Sequence, residues 1–282
     1  MLDGATALAL PTKKGQSLTI APSEKEGIQW SSYDHKGNCW FQFEVSMQLG
    51  VSSKDTEISK TLVAILTKAK QLNPAFLTNH IGFKVDTHLG FPRNWGLGSS
   101  STLINNIAKW AEVDAFTLLR ESFGGSGYDI AAAQYNTPIF YAISEEQPEI
   151  REVALPWDFT EELFFVHLNK KQDSKEGIAN YRKTTISWKD LQYISDLSHK
   201  LLLCYTRTDF EALIDAHEKR IAKIIRLPMV QERLFSDYQG GVIKSLGAWG
   251  GDFVLVTGKP NQQDYFREKG YTTILPYSEM IL

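Results

Sequence analysis

The chain has 282 residues, of which 30 are Lys or Arg and 33 are Asp or Glu, and its net charge is -3. A composition of 43% hydrophobic and 22% charged residues is ordinary for a globular protein and excludes a disordered, collagenous or coiled-coil chain. The charge balance provides no basic field for nucleic acid or anionic lipid. With two cysteines and no apolar run long enough for a membrane helix, we predict a cytoplasmic protein of one or two domains.

The first part of the chain is predicted to be rich in β-strands, because short apolar runs alternate with turn residues. The expected strands cover residues 5–11, 17–21, 27–32, 39–46 and 81–86. Turn residues 34–38 predict a hairpin between the third and fourth strands. Apolar residues at helical spacing predict a helix over 54–72 that is capped by Asp55.

The remaining elements mix helices and strands without regular alternation. Helices are expected after the glycine-rich loop at 96–98, from Asp114 to about Glu121, and around 191–201 and 210–224. Strands are expected at 138–143, 150–155, 163–168 and 253–257. This mixture predicts an α+β protein of two lobes, 1–155 and 156–282.

The most informative segment is P-R-N-W-G-L-G-S-S-S-T, residues 92–102. Its glycines allow backbone amides to approach a ligand closely, and the N-terminus of the following helix favours phosphate. A hydroxyl at this position can also bind Mg²⁺. The alternative is a Gly-Ser connection that caps an ordinary helix.

Two further glycine clusters follow. Gly124-Gly125-Ser126-Gly127-Tyr128-Asp129 places a carboxylate after a glycine-rich turn, which suits a general base, although a lone Asp in a loop is more often a turn or cap residue. The cluster at residues 244–252 precedes a strand, and its alternative interpretation is a hairpin turn.

In this order, the three clusters resemble the motifs of the GHMP kinases, the galactokinase, homoserine, mevalonate and phosphomevalonate kinase superfamily. Pro92, Gly96-Leu97-Gly98 and Ser99-Ser100 match its phosphate loop, and Ser126-Gly127-Tyr128-Asp129 matches its catalytic segment. The run GYDIAAAQYNTPIFY resembles a branch found in Bacteroidetes-type bacteria. The resemblance implies a two-lobed fold with an N-terminal mixed α/β lobe and a C-terminal ferredoxin-like lobe.

The resemblance also implies the site residues. Asp129 would be catalytic, Ser100 and Glu121 would bind Mg²⁺, and ATP would be the phosphate donor. The ATP phosphates would contact Asn94, Gly96, Leu97, Gly98, Ser99, Ser100, Ser101 and Thr102. The third glycine motif would comprise Gly247, Ala248, Gly250 and Gly251, from which Trp249 and Asp252 depart.

The N-terminus matches only the end of the first family motif. Members begin with a strand that carries a lysine and a G-E segment, whereas this sequence begins at Met1-Leu2-Asp3-Gly4. We expect the sequence to start at an internal methionine, so that it is one β-element short of the working kinase. The in-frame DNA upstream of Met1 would decide this point.

Other residues allow weaker inferences. His217 is expected in the core or at an interface, and Cys204 is expected to be buried. The cations Lys170, Lys171, Lys175 and Arg182 are expected to form a solvated charge run, with contact to an acid or phosphate of the substrate as the alternative. Trp95 or Trp249 would either stack on adenine or pack in the core.

The leading hypothesis is an ATP-dependent kinase acting on mevalonate or a related hydroxy acid. A mevalonate-diphosphate-type decarboxylase and a non-catalytic nucleotide-binding protein are the alternatives. The expected partner is a small-molecule substrate, with neither nucleic acid nor membrane, and a homodimer is left open.

Overall fold

The computed structural model describes residues 1–50, 53–144, 147–172, 174–247, 249 and 251–282. The strands are β1 (Ala7–Ala9), β2 (Gln16–Ser23), β3 (Gly27–Tyr33), β4 (Cys39–Val45), β5 (Gly82–Leu89), β6 (Ile139–Ala142), β7 (Glu149–Glu152), β8 (Leu163–His167), β9 (Ile243–Ser245), β10 (Phe253–Thr257) and β11 (Ile274–Pro276). The α-helices are α1 (Glu57–Leu72), α2 (Ser99–Ala111), α3 (Ala115–Ser122), α4 (Tyr128–Gln134), α5 (Ser174–Tyr181), α6 (Trp188–Lys200), α7 (Arg207–Ile225), α8 (Val230–Leu234), α9 (Gln263–Glu268) and α10 (Tyr277–Met280). Within the described residues, no helix is both long enough and apolar enough to span a membrane.

The chain folds into two compact units that interleave along the sequence. Unit 1 comprises Met1–Lys13, Asn94–Gly96 and Tyr135–Leu282, and unit 2 comprises Lys14–Arg93 and Leu97–Gln134. The glycine-rich loop therefore passes from unit 1 to unit 2 between Gly96 and Leu97. The lobe boundary near residue 155 stays a prediction.

Unit 2 is a four-stranded sheet covered by helices. The strand order is β2-β5-β3-β4, in which β3 and β5 are parallel and the other pairs are antiparallel. Alternation in β4 places Phe41, Phe43 and Val45 inside and leaves the intervening polar residues exposed, as the sequence pattern predicts. These side chains share one core with buried residues of α1, α2 and α3, among them Leu66 and Ile104.

Local sequence determines the ends of these helices. The hydroxyl of Thr56 accepts a hydrogen bond from the Ser59 amide at 3.2 Å, so Thr56 is the N-cap of α1. The prediction that Asp55 caps this helix was wrong, since the Asp55 carboxylate instead pairs with Lys60 at 3.0 Å. Asp114 caps α3 as predicted.

Unit 1 contains two sheets, ordered β11-β8-β10-β9 and β1-β6-β7. Strand β8 pairs with β10 and β11 on its two edges, and it is buried along its whole length because Phe164 and Val166 pack in one core cluster while Leu163 packs in another. Helices α6 and α7 meet at Ile194 and Ile221, which share a small buried cluster with Ala5. Cys204 is buried, as predicted.

The mixed α+β class predicted from the sequence is confirmed. Helices α4, α5, α8, α9 and α10 were not predicted, and each has four to eight residues. Such helices are too short to show a clear apolar period, and tertiary contacts stabilise them.

Candidate active site

The first part of the candidate site is the N-terminus of α2 in unit 2. Gly98 is the N-cap, its φ of +67° lies in the left-handed region, and no side chain caps the helix. The Thr102 hydroxyl donates to the Gln16 side chain at 2.9 Å, and Asn106 donates to the Gln16 carbonyl at 2.8 Å. The helix end is therefore anchored to β2, while its first amides stay available to an anion.

The second part is Asp129, which lies in the first turn of α4 in the same unit. A Cβ atom at Gly98 would lie 3.2 Å from the Asp129 Cγ, so a side chain there would push the carboxyl away by a few tenths of an ångström. Gln134, at the end of α4, donates to Asn105 of α2 at 3.0 Å and holds the two helices together. The carboxyl of Asp129 thus lies beside the start of α2.

The environment of Asp129 favours the protonated acid. Its side chain reaches solvent, yet surrounding protein atoms exclude enough water to raise the pKa of the carboxyl above its usual range. A carboxylate with a raised pKa is a stronger base than an ordinary aspartate. Asp129 was predicted as the residue after a glycine-rich turn, and it lies where that turn becomes a helix.

The segment Asn94–Gly96 of the glycine-rich loop belongs to unit 1. The Asn94 carbonyl lies 3.1 Å from Nε2 of His167, and the Trp95 ring packs edge-on against Phe253 at 5.3 Å between centroids. Trp95 therefore packs in the protein, which was one of its two expected roles. Gly96 has a φ of +66°, and a Cβ atom there would lie 2.1 Å from the Asp252 carboxyl carbon.

The third glycine motif connects β9 to β10, which pair as an antiparallel hairpin. Ala248 and Gly250 lie outside the described residues. Gly247 has a φ of +63°, and a Cβ atom at Gly251 would lie 2.8 Å from the Lys170 carbonyl oxygen. The closeness of Gly251 to the backbone of Lys170 therefore requires glycine at this position.

Asp252, which departs from the family motif, links this connection to the first loop. Its carboxylate accepts a hydrogen bond from the Gln172 amide at 3.1 Å and lies against Gly96. Burial raises its pKa above the usual range. Sequence reasoning missed this contact, and the one available signal was an Asp where the family has glycine, at a φ of +56° that Asp tolerates.

The predicted metal ligands are placed as follows. Ser100 lies exposed in the first turn of α2, and Glu121 lies near the end of α3, where it pairs with Lys68 at 3.3 Å. In the part of the chain that the structure describes, no three His, Cys, Asp or Glu side chains could hold a metal together. In nucleotide sites, Mg²⁺ takes only one or two ligands from the protein, because phosphates supply others. Opening the exposed ion pair between Glu121 and Lys68 would cost only about 0–1 kcal/mol. The residues are thus compatible with a nucleotide-bound Mg²⁺.

The predicted charge run is solvated where the structure describes it. Lys170, Lys171 and Arg182 are exposed. The side chain of Lys175 lies outside the described residues. Arg182 pairs with Asp3 at 2.7 Å, so its charge is already compensated within unit 1.

Comparison with known proteins places this geometry in context. No protein-family model and no curated protein matches the sequence. Among solved structures, the mevalonate kinase of Methanococcus jannaschii matches with a TM-score of 0.68 and 14% identity, covering 97% of this chain and 91% of that chain. The chain has the GHMP kinase fold.

Two more structures with this fold differ in their chemistry. The galactokinase of Lactococcus lactis, crystallised with galactose, matches with a TM-score of 0.63 and 14% identity, covering 95% of this chain and 83% of that one. A mevalonate diphosphate decarboxylase from Legionella pneumophila matches with a TM-score of 0.51 and 13% identity, covering 96% and 100%. The predicted GHMP kinase fold is confirmed, and assignment to the Bacteroidetes-type branch stays a prediction.

Proposed function

We propose that the chain is an ATP-dependent kinase that transfers the γ-phosphate to an alcohol of a small hydroxy acid, mevalonate or a related compound. The observation that carries this proposal is the Asp129 carboxyl, which lies against Gly98 at the uncapped N-terminus of α2. A base beside an anion-binding helix end is what phosphoryl transfer to an alcohol requires. The kinases that share the fold support the same class of reaction.

Phosphate binding is assigned to the glycine-rich loop and the start of α2. The amides of Ser99, Ser100 and Ser101 present partial positive charge at the helix end, where they would hold the phosphates of ATP. The Thr102 amide already donates to the Gly98 carbonyl at 2.9 Å, so Thr102 is proposed to hold the shape of the loop beside the phosphates. Asn94, Gly96, Leu97 and Gly98 supply the loop backbone, and the motif Gly247, Ala248, Gly250 and Gly251 is proposed to contribute to the same function from the second hairpin. ATP supplies the phosphoryl group.

Asp129 is proposed to accept the proton of the substrate hydroxyl. The alcohol oxygen forms a bond to the γ-phosphorus, the bond from that phosphorus to the bridging oxygen breaks, and ADP leaves with the electron pair. Burial among protein atoms raises the pKa of Asp129 and makes it a better proton acceptor once it is ionised.

Ser100 and Glu121 are proposed to bind the Mg²⁺ that accompanies ATP, with Glu121 released from Lys68. Bound Mg²⁺ neutralises phosphate charge. The position of Ser100 in the first turn of α2 places its hydroxyl on the helix end that would bind the phosphates. The cytoplasmic location stays a prediction, and so does the division into an N-terminal ATP-binding lobe and a C-terminal lobe.

A coupled ADP-release assay with a panel of hydroxy acids tests the proposal. We expect Asp129→Ala to lower kcat by about 10²–10⁴-fold, the usual contribution of a positioned base, while the affinity for ATP changes little. Asp158→Ala is the matched control, since Asp158 is an aspartate of unit 1 that the proposal does not use. Turnover by Asp129→Ala at the wild-type rate would refute the base assignment.

The same assay separates the alternatives. Release of CO₂ together with ADP from a diphosphorylated hydroxy acid would favour decarboxylation, the reaction named for the Legionella pneumophila protein that shares the fold. Binding of ATP without transfer to any acceptor in the panel would favour a non-catalytic nucleotide-binding protein.

A further inference from the structure

Unit 1 contains a cavity that the proposed phosphate-transfer chemistry does not use. Its volume is about 360 Å³, within the range of small-molecule sites. It lies between α5, the segment after it and the end of α7. The lining residues that matter for recognition are Asn180, Tyr181, Lys183, Thr184, Arg226 and Trp249.

The charged side chains among the described lining residues are both cations. Lys183 and Arg226 line the cavity, and none of the described lining residues is an Asp or a Glu. Lys183 Nζ donates to the uncharged Asn180 side chain at 3.0 Å, and Arg226 has no ion pair within the described residues. The neighbouring Arg182 is different, because Asp3 neutralises it. Two uncompensated cations at one concave surface favour an anionic ligand.

Another part of the cavity wall is apolar. The ring of Trp249 stacks on Tyr181 with 5.8 Å between centroids and 23° between planes, and Ile225 and Leu227 add aliphatic surface. The Tyr181 hydroxyl donates to Asp3, which fixes the orientation of the ring. This wall can contact the carbon atoms of an organic ligand, whereas an inorganic ion has none.

Trp249 is held in an unfavourable backbone conformation. Its φ of +54° lies in the left-handed region, which is uncommon for a bulky residue. Strain of this kind persists where the surrounding structure holds it, and it is concentrated at ligand sites. The conformation brings the indole to the cavity wall beside Tyr181.

We propose that this cavity binds a small organic acid, with Lys183 and Arg226 pairing with its carboxylate or phosphate and Trp249 and Tyr181 covering its carbon skeleton. The existence of the site does not depend on the kinase activity. Identifying the organic acid with the phosphate acceptor rests on the proposed function.

Calorimetric titration without ATP tests the site directly, with mevalonate, its uncharged lactone and inorganic phosphate as probes. We expect mevalonate to bind more weakly at high salt, and the lactone to bind at least about tenfold more weakly than mevalonate. Lys183→Gln and Arg226→Gln should each weaken mevalonate binding by about tenfold or more, since each removes one charge-assisted contact. Lys223→Gln is the matched control, because it removes an exposed cation of α7 that does not line the cavity. Thermal unfolding verifies that each variant is folded.

Three results would overturn the proposal: no mevalonate binding, equal binding of the lactone, or unchanged affinity in both cavity variants. Displacement of mevalonate by an equal concentration of inorganic phosphate would also overturn it, since the site would then recognise charge alone. Mevalonate binding without ATP-dependent transfer would support the cavity and count against the kinase. Transfer with unchanged KM in both cavity variants would support the kinase and refute the identification of the cavity's ligand with the phosphate acceptor.

Discussion

The substitution Gly96→Ala tests the close contact between the Gly96 backbone and the Asp252 carboxylate within unit 1. The substitution requires an alanine at a φ of +66°, which costs about 1–2 kcal/mol. The new Cβ would also lie 2.1 Å from the Asp252 carboxyl carbon, so the carboxyl must move. Moving it breaks the hydrogen bond from the Gln172 amide and leaves buried groups unpaired, at about 1–3 kcal/mol. The expected loss of unfolding free energy is therefore about 2–5 kcal/mol.

Urea unfolding followed by circular dichroism measures this loss, and a matched variant separates its two parts. Gly270 has a φ of +85° in the same unit and open space around it, so Gly270→Ala carries only the backbone cost of about 1–2 kcal/mol. In an Asp252→Gly background the clash is absent, and Gly96→Ala should then cost no more than Gly270→Ala. The reasoning is refuted if Gly96→Ala costs as little as Gly270→Ala in the parent chain, or if its cost is the same with and without Asp252.

Two further predictions concern Asp129. Because its pKa is raised in the folded protein, the wild type loses stability as the pH rises from the ordinary aspartate range through the folded pKa. Asp129→Asn should therefore melt at a higher temperature than the wild type at neutral pH and at the same temperature in strong acid, and a lower melting temperature at neutral pH would contradict the assignment. Gly98→Ala should displace the Asp129 carboxyl and lower kcat in the ADP-release assay by about tenfold or more, since its Cβ would lie 3.2 Å from the carboxyl carbon. Gly37→Ala, at a φ of +81° with nothing nearby, is its control and should keep the parent kcat.

Elements with strong local signals were predictable from the sequence. The hairpin at residues 34–38 is an example, because the Asp34 carboxylate accepts hydrogen bonds from the Lys36 and Asn38 amides and stabilises the turn by itself. Where two neighbouring residues offered the same chemistry, as Asp55 and Thr56 did at the start of α1, the local pattern could not choose between them. In the structure Thr56 is the cap, because Thr56 and Ser59 form a capping box in which each side chain accepts from the other's backbone amide.

Features that depend on distant contacts were not predictable. Asp252 is a poor match to a glycine motif when it is considered alone, and its relation to Gly96 exists only after β9 and β10 have paired. Tyr181 and Trp249 were not connected in the sequence analysis, because no periodicity links residues so far apart. The resemblance of motifs gave the glycine loops their proposed roles, which stay predictions, whereas the cavity of unit 1 could only be found in three dimensions.

The interleaving of the two units has a consequence for how the chain folds during synthesis. Except for Asn94–Gly96, unit 2 is made of residues 14–134, so all its strands have left the ribosome before most of unit 1 exists. Strand β1 must wait for β6, since Ala7 pairs with Tyr141. Until then the apolar strand β1 stays unpaired, so it can aggregate or bind chaperones. Unit 2 is thus expected to fold first, with unit 1 closing around the N-terminal segment only late in translation.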